Sequence, residues 1–201
     1  MPISSVPTYY NRLFCFCEKR QDQPTQFLHV IEIGAPAPKQ DRIQFTSEIQ
    51  FEEQGDSPVL LHGCPQYGLL FIVTKKGYLL LYEASRARFI YKAKFTDNHC
   101  FAATRDAHAD GLLTIDTAGR VFSIDVNPQA LVQFIFNDIT ITDNEELSLW
   151  MAGRFNLAGA AEINRVLFEQ RVKKKDYQGA ANIVKECKAL RSLRTLEVFK
   201  R

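Results

Sequence analysis

One stretch of the chain is written twice. Leu69 to Tyr82 reads LLFIVTKKGYLLLY and Gly111 to Ile124 reads GLLTIDTAGRVFSI; a shift of 42 residues lays Leu70 on Leu112, Val73 on Ile115, Gly77 on Gly119 and Leu79 on Val121. Each copy is an apolar strand, a tight polar turn ending in glycine, and a second apolar strand. Gly77 and Gly119 stand where a hairpin turn demands a positive φ, which glycine adopts without steric cost. A looser third copy lies upstream, where Leu13–Cys17 and Phe27–Ile33 flank a polar loop, about 50 residues before the next unit. Further short strands are expected around Ile43–Phe51, Val59–His62, Phe89–Phe95 and Phe101–Thr104. Units of ~40–50 residues with several short strands each are the signature of β-propeller blades. The spacing predicts about three blades of roughly four strands, with a β-sandwich of accidental self-similarity as the alternative. Three blades do not close a ring, which takes ~4–8, and would leave edge strands and an apolar flank open. A piece of a longer ring is therefore expected, ahead of a ring completed by another molecule.

The pattern changes after the repeats. Leu147 to Arg201 carries 12 Lys+Arg against 5 Asp+Glu; out of 25 and 23 in the whole chain, the rest keeps 13 against 18. The early part is rich in Phe, Tyr, Ile, Val, Pro and Gly, the late part in Ala, Leu, Glu, Lys and Arg, the preferences of strands and helices respectively. The last strand is expected over Val121–Val126, followed by a break at Asn127–Pro128. The chain thus reads as blades over 1–126 and a helical part over 127–201. Pro128 suits the first turn of a helix through Asn137, although ALVQFIF would serve equally as a strand on pattern alone. Asp143-x-x-Glu146 reads as a capping box, with Leu147, Trp150, Met151 and Phe155 at helical spacing behind it. A second helix is expected from Ala158 to Lys174, with Ile163, Val166, Leu167 and Phe168 on its apolar side. Asp176 caps a third, from Tyr177 to about Lys188, striped by Ala180, Ile183, Val184 and Cys187. Short helices joined by tight turns predict the start of an α-solenoid. The fold class is β then α: a partial β-propeller, then a helical zigzag.

Chemistry is sparse. The chain has no GxxxxGK[ST] phosphate loop, no GxGxxG after a strand, no HExxH and no GxSxG. His29, His62, His99 and His108 lie in separate segments, and His62-Gly-Cys64 and His99-Cys100 are the only His/Cys neighbours. Two such pairs make a poor frame for the roughly four ligands of a zinc site. Cys100 and Cys187 are nucleophiles in principle, but neither adjoins a base with a third orienting group. No catalytic residue, metal or cofactor is expected. Five cysteines, an odd number without a CxxC, argue against a disulfide framework and for a reducing compartment. The longest apolar runs, Tyr78–Tyr82 and Leu131–Phe136, fall far short of the ~20 residues that span a bilayer. The first twenty residues lack the order of a signal peptide. The basic run Arg171–Lys175 ends a helix, where cations complement the dipole, and no aromatics interleave it to stack bases. It reads as a solvated helix end, and no nucleic-acid partner is expected. What remains is shape: propellers bind short peptides between blades and solenoids present assembly surfaces, which together describe a scaffold.

Leu13–Phe16, Leu28–Gly34, Phe71–Tyr78, Leu81-Tyr82, Ile90-Tyr91, Met151-Ala-Gly-Arg154, Asn156-Leu-Ala-Gly-Ala160, Asp176-Tyr177, Ala180-Ala181 and Leu193-Arg-Thr195 follow one another in an order that resembles the clathrin heavy chain. The resemblance runs from about Arg12 to Thr195 and covers the later blades of that family's amino-terminal propeller and the helical linker into its leg. It is most specific at Met151, Asn156, Leu157, Ala158, Gly159 and Ala160, which it marks as a structural linker motif. It implies that Pro128–Asn137 is helical. It also implies a coat protein of budding vesicles, acting in endocytosis and intracellular transport at coated pits and vesicles of the plasma membrane and trans-Golgi network. The partners implied are adaptor proteins, held through short peptide motifs in inter-blade grooves, and other clathrin chains; the membrane is reached through adaptors only. The alternative is a subunit of another propeller–solenoid trafficking scaffold. Met1–Asn11 matches nothing in the family, a few residues are inserted around Ile139–Thr142, Leu196 stands where proline is usual, and Lys173–Lys175 replaces a more neutral turn. These departures suggest a partial or divergent member.

Overall fold

The computed structural model describes residues 12–19, 25–33, 44–106 and 111–200, apart from the side chains of Glu186, Arg194 and Lys200. Residues 1–11, the polar loop at 20–24, Gly34, Ile43 and His108 lie outside the described residues. The chain divides into two compact units, 1–125 and 126–201.

The first unit is three antiparallel sheets in sequence order. The first joins β1 (Arg12–Lys19), β2 (Gln26–Ile33) and β3 (Gln44–Ile49). The second joins β4 (Pro58–Cys64), β5 (Leu69–Thr74), β6 (Tyr78–Glu83) and β7 (Arg88–Lys94). The third joins β8 (Cys100–Arg105), β9 (Leu112–Asp116) and β10 (Val121–Ile124). Each runs strand to neighbouring strand, as propeller blades do. Strand alternation decides the packing: Gln26, Leu28, Val30 and Glu32 of β2 are buried, while the residues between them reach the other face. Leu28, Val30 and Ile49 of the first sheet pack on Leu70, Ile72, Leu80 and Tyr82 of the second. Each such aliphatic side chain contributes about 1.5–3 kcal/mol when fully buried. β5 is buried along its whole length, which explains its uninterrupted apolar sequence LLFIVT. β4 lies beside β8, and Phe95 meets Phe122 edge-on at 5.2 Å.

The 42-residue repeat is carried into the backbone. Gly63 pairs with Leu70 and Arg105 pairs with Leu112, so β4 and β8 hold the same place in their sheets. Both strands also shift register near their start, between Pro58 and Leu60 and between Cys100 and Ala102. The hairpin turns match as well. Thr74 Oγ1 accepts from the Tyr78 amide at 3.2 Å, and Asp116 Oδ1 accepts from the Arg120 amide at 3.0 Å, 42 positions on.

The second unit is helical: α1 (Pro128–Asn137), α2 (Asn144–Phe155), α3 (Ala160–Lys173), α4 (Tyr177–Glu186) and a short α5 (Leu193–Glu197). The strand reading of ALVQFIF is excluded. Pro128 opens α1, and the Asn127 side chain accepts from the amides of Gln129 and Ala130. Val132, Ala152, Ile163 and Leu167 of α1, α2 and α3 form one core; Phe168, Ala180 and Val184 of α3 and α4 form a second. α1 packs with α2 and α3 with α4, the pairing of a helical zigzag. No helix among the described residues is long and apolar enough to cross a membrane.

Several expectations need correction. The sheets have three, four and three described strands rather than four each. β10 ends at Ile124, not Val126, since Pro128 has no amide to extend the ladder. The Asp143–Glu146 capping box does not form: Asp143 sits at φ 52° and its side chain makes no cap, while Asn144 takes over, donating to the carbonyls of Phe136 and Asp138. The second helix starts at Ala160, not Ala158, because Gly159 at φ 107° cannot belong to a helix. The third stops at Glu186 rather than Lys188, where a 3-10 turn over Lys188–Leu190 takes over.

Candidate interaction site

The clearest concavity in the sheet unit lies where β4 and β8 come side by side. It is a cleft of about 220 Å³ lined by His62, Gly63, Cys64, Pro65 and Gln66 from the end of β4 and its turn, and by Arg105 from the end of β8. No carboxylate is among these lining residues. Partial burial of His62, and then the nearby Arg105 guanidinium, lower the imidazole below its usual value, so the ring is neutral near neutral pH. The sequence marks His62 and Cys64 as neighbours but gives no sign of Arg105 or Gln66. The signal was in the repeat, since Arg105 is the equivalent of Gly63 one unit later.

The turns beside the cleft are held by two carboxylates. Asp116 is fully buried, which alone would raise its pKa. The Arg120 amide and guanidinium, the Thr96 hydroxyl and the Asn98 amide all donate to it, outweigh that cost and hold it well below the carboxylate range. Glu53 is held at about 2, first by the Lys94 ammonium, then by the Tyr78 hydroxyl and Lys76. Lys92 adds an ion pair to Glu52. These groups are saturated by protein partners and tie strands together, so they leave no free acid or base.

Gly77 and Gly119 take φ of 82° and 78° in the β5–β6 and β9–β10 turns. Their surroundings differ: a Cβ on Gly77 would stand 2.2 Å from the Thr96 carbonyl, whereas one on Gly119 would meet nothing within 4 Å. The Met151–Ala160 segment spans the end of α2 and the start of α3. Met151 is fully buried. Asn156, at φ 52°, caps α2, and its amide and that of Leu157 both bond the Ala152 carbonyl. Leu157 and Ala160 pack on the Val132–Ile163 core, Ala158 is exposed, and Gly159 precedes α3 with its Cα hydrogens toward Val132.

The remaining candidates stay apart. Among the described residues no three His, Cys, Asp or Glu side chains gather as a metal site would need. Burial raises the thiols of Cys15 and Cys100, and pushes Cys17 to about 11, which makes them poor nucleophiles at neutral pH. His29 is engaged on the first sheet by Glu18 at 2.9 Å and Thr46 at 3.0 Å. Arg171 of the basic run pairs with Asp176, which itself caps α4 through the Gly179 amide. Lys175 closes α3 with φ 59°.

No protein-family model matches the chain. Curated proteins do. It is 29% identical over 178 residues to "Clathrin heavy chain 2" of Oryza sativa subsp. japonica, covering 87% of this chain and 10% of that one. It is 30% identical over 156 residues to "Probable clathrin heavy chain 1" of Caenorhabditis elegans, covering 76% and 9%. With "Clathrin heavy chain 2" of Homo sapiens it shares 28% over 193 residues, covering 93% and 11%. The chain spans about a tenth of the length of the curated relatives it matches.

Proposed function

This chain is a homologue of the clathrin heavy chain along most of its length, and on that premise we propose that it is a non-enzymatic structural element of a vesicle coat, working in endocytosis and vesicle-mediated protein transport. The observation that carries the reading is the reach of the likeness: an alignment covering 93% of the chain takes in the three sheets and the paired helices together. In this reading the clefts between sheets receive short peptide segments of adaptor proteins. The helical unit stacks with other clathrin segments, with Met151 and Asn156–Ala160 as its structural joint and Gly77 and Gly119 as its blade turns. The chain works in the cytoplasm, at coated pits and vesicles of the plasma membrane and trans-Golgi network, and meets membrane only through adaptors. Burial of the thiols and saturation of the carboxylates support the absence of catalysis.

The test is co-sedimentation. Purified chain is mixed with liposomes bearing clathrin adaptors and with bare liposomes of the same lipid. Recovery with the adaptor-bearing pellet alone is expected. Equal recovery in both pellets, or none in either, would overturn the reading.

A further inference from the structure

Cleft chemistry goes further than cleft shape. The geometry points to an oxyanion site at the junction of β4 and β8, where His62, Gln66 and Arg105 converge to hold the carboxylate or phosphate group of an acidic peptide side chain. Three donors of N–H line the cleft, one a permanent cation, and no acidic side chain among the lining residues competes for them. A guanidinium is the side chain best shaped to take two oxygens of one carboxylate or phosphate at once. The cleft, at about 220 Å³, has room for such a group and little more. The proposal rests on the peptide-docking reading above and names the chemistry of what docks.

It has a consequence that a merely structural Arg105 would lack. Around His62 stand Arg105 from β8, with Asp106 next in that chain, the apolar Phe71 paired with it on β5, and the buried thiol of Cys64 on its own strand. In the empty cleft burial and Arg105 keep the imidazole neutral. A bound oxyanion reverses the field, favours the imidazolium and adds a charge-assisted hydrogen bond. Binding therefore takes up a proton and tightens as pH falls. Each unit by which the bound ligand raises the His62 pKa corresponds to about tenfold in affinity.

The experiment titrates the purified full chain with a triglutamate peptide, a phosphoserine tripeptide and a triglutamine control, following the His62 ring signals by NMR between about pH 8 and about pH 6. Adaptors are absent, so this result stands or falls apart from co-sedimentation. The expected result is binding of either anionic peptide, an upward shift of the His62 titration, and affinity about tenfold higher at the acid end. The stronger of the two anionic arms tells carboxylate from phosphate. Arg105→Gln should abolish binding while the chain's circular dichroism and melting stay unchanged; His62→Gln should keep weak binding and lose its pH dependence. Should Arg105→Gln fail to fold, the shift of the wild-type His62 titration alone decides. An unmoved His62 titration, equal binding of triglutamine, or full binding by folded Arg105→Gln would overturn the site.

Discussion

Asn156 and Gly159 lie three positions apart, and both take positive φ, at 52° and 107°, for different reasons. Asparagine tolerates the left-handed region well enough to end a helix, so at 156 a side chain is admissible. At 159 the backbone goes further from the region open to L side chains, and Val132 Cγ1 stands 3.4 Å from where a Cβ would sit. Both strain and crowding thus act on one residue. Gly159→Leu is expected to destabilise the chain by ~1–3 kcal/mol, read as a lower urea midpoint at unchanged slope. A midpoint equal to that of the parent chain would show that the elbow relaxes around any side chain. The basic run shows the same local logic with a different result: Arg171 holds Asp176 at 2.8 Å, and Asp176 caps the next helix, so one of its charges serves helix ends rather than a ligand.

At the level of the hairpin, two turns with one sequence pattern make an internal experiment. Gly77 and Gly119 share their φ to within a few degrees, at 82° and 78°, and so share the strain that any Cβ would suffer. Only the β5–β6 turn is pressed on a neighbour, the Thr96 carbonyl. Gly119→Ala should cost about 1–2 kcal/mol from conformation alone, and Gly77→Ala distinctly more. Thermal melts of the two variants side by side check this; equal shifts would mean that the Thr96 segment moves aside freely. These turns were legible in the sequence because a glycine at fixed spacing between apolar strands leaves few other solutions. Strand positions were legible too, since period-two burial writes itself into β2 and the double-sided burial of β5 into a run of six apolar or β-branched residues. Helix starts were not. Asp143 and Glu146 had the right spacing for a capping box, but the competing hydrogen bonds of Asn144 to Phe136 and Asp138 come from α1 and the residue after it, which no local window contains. The cleft was equally hidden, because Arg105 reaches His62 only once β4 and β8 lie side by side.

For the molecule as a whole, what is left uncovered matters as much as what is packed. The first sheet shows Phe14 and Ile33 at 53% and 54% exposure, and the third shows Phe101 and Val121 at 60% and 65%. Apolar side chains exposed at this level on sheets invite association. The isolated chain is expected to grow in apparent mass with concentration in light scattering, and the pair Phe14→Ser with Val121→Ser to bring it back toward a monomer. A parent chain that stays monomeric at all concentrations would mean these faces are inert. The helical unit carries a different constraint, set by the short stretch from Asn156 to Gly159. A helix advances one residue for each ~100° of rotation, so adding or deleting a single residue there would spin α3 by about that angle. Ile163 and Leu167 would swing away from Val132, and Phe168 from Ala180, in the same stroke. The elbow is therefore a counter: loops on the sheets can drift in length over evolutionary time, whereas here the number of residues itself is the inherited quantity.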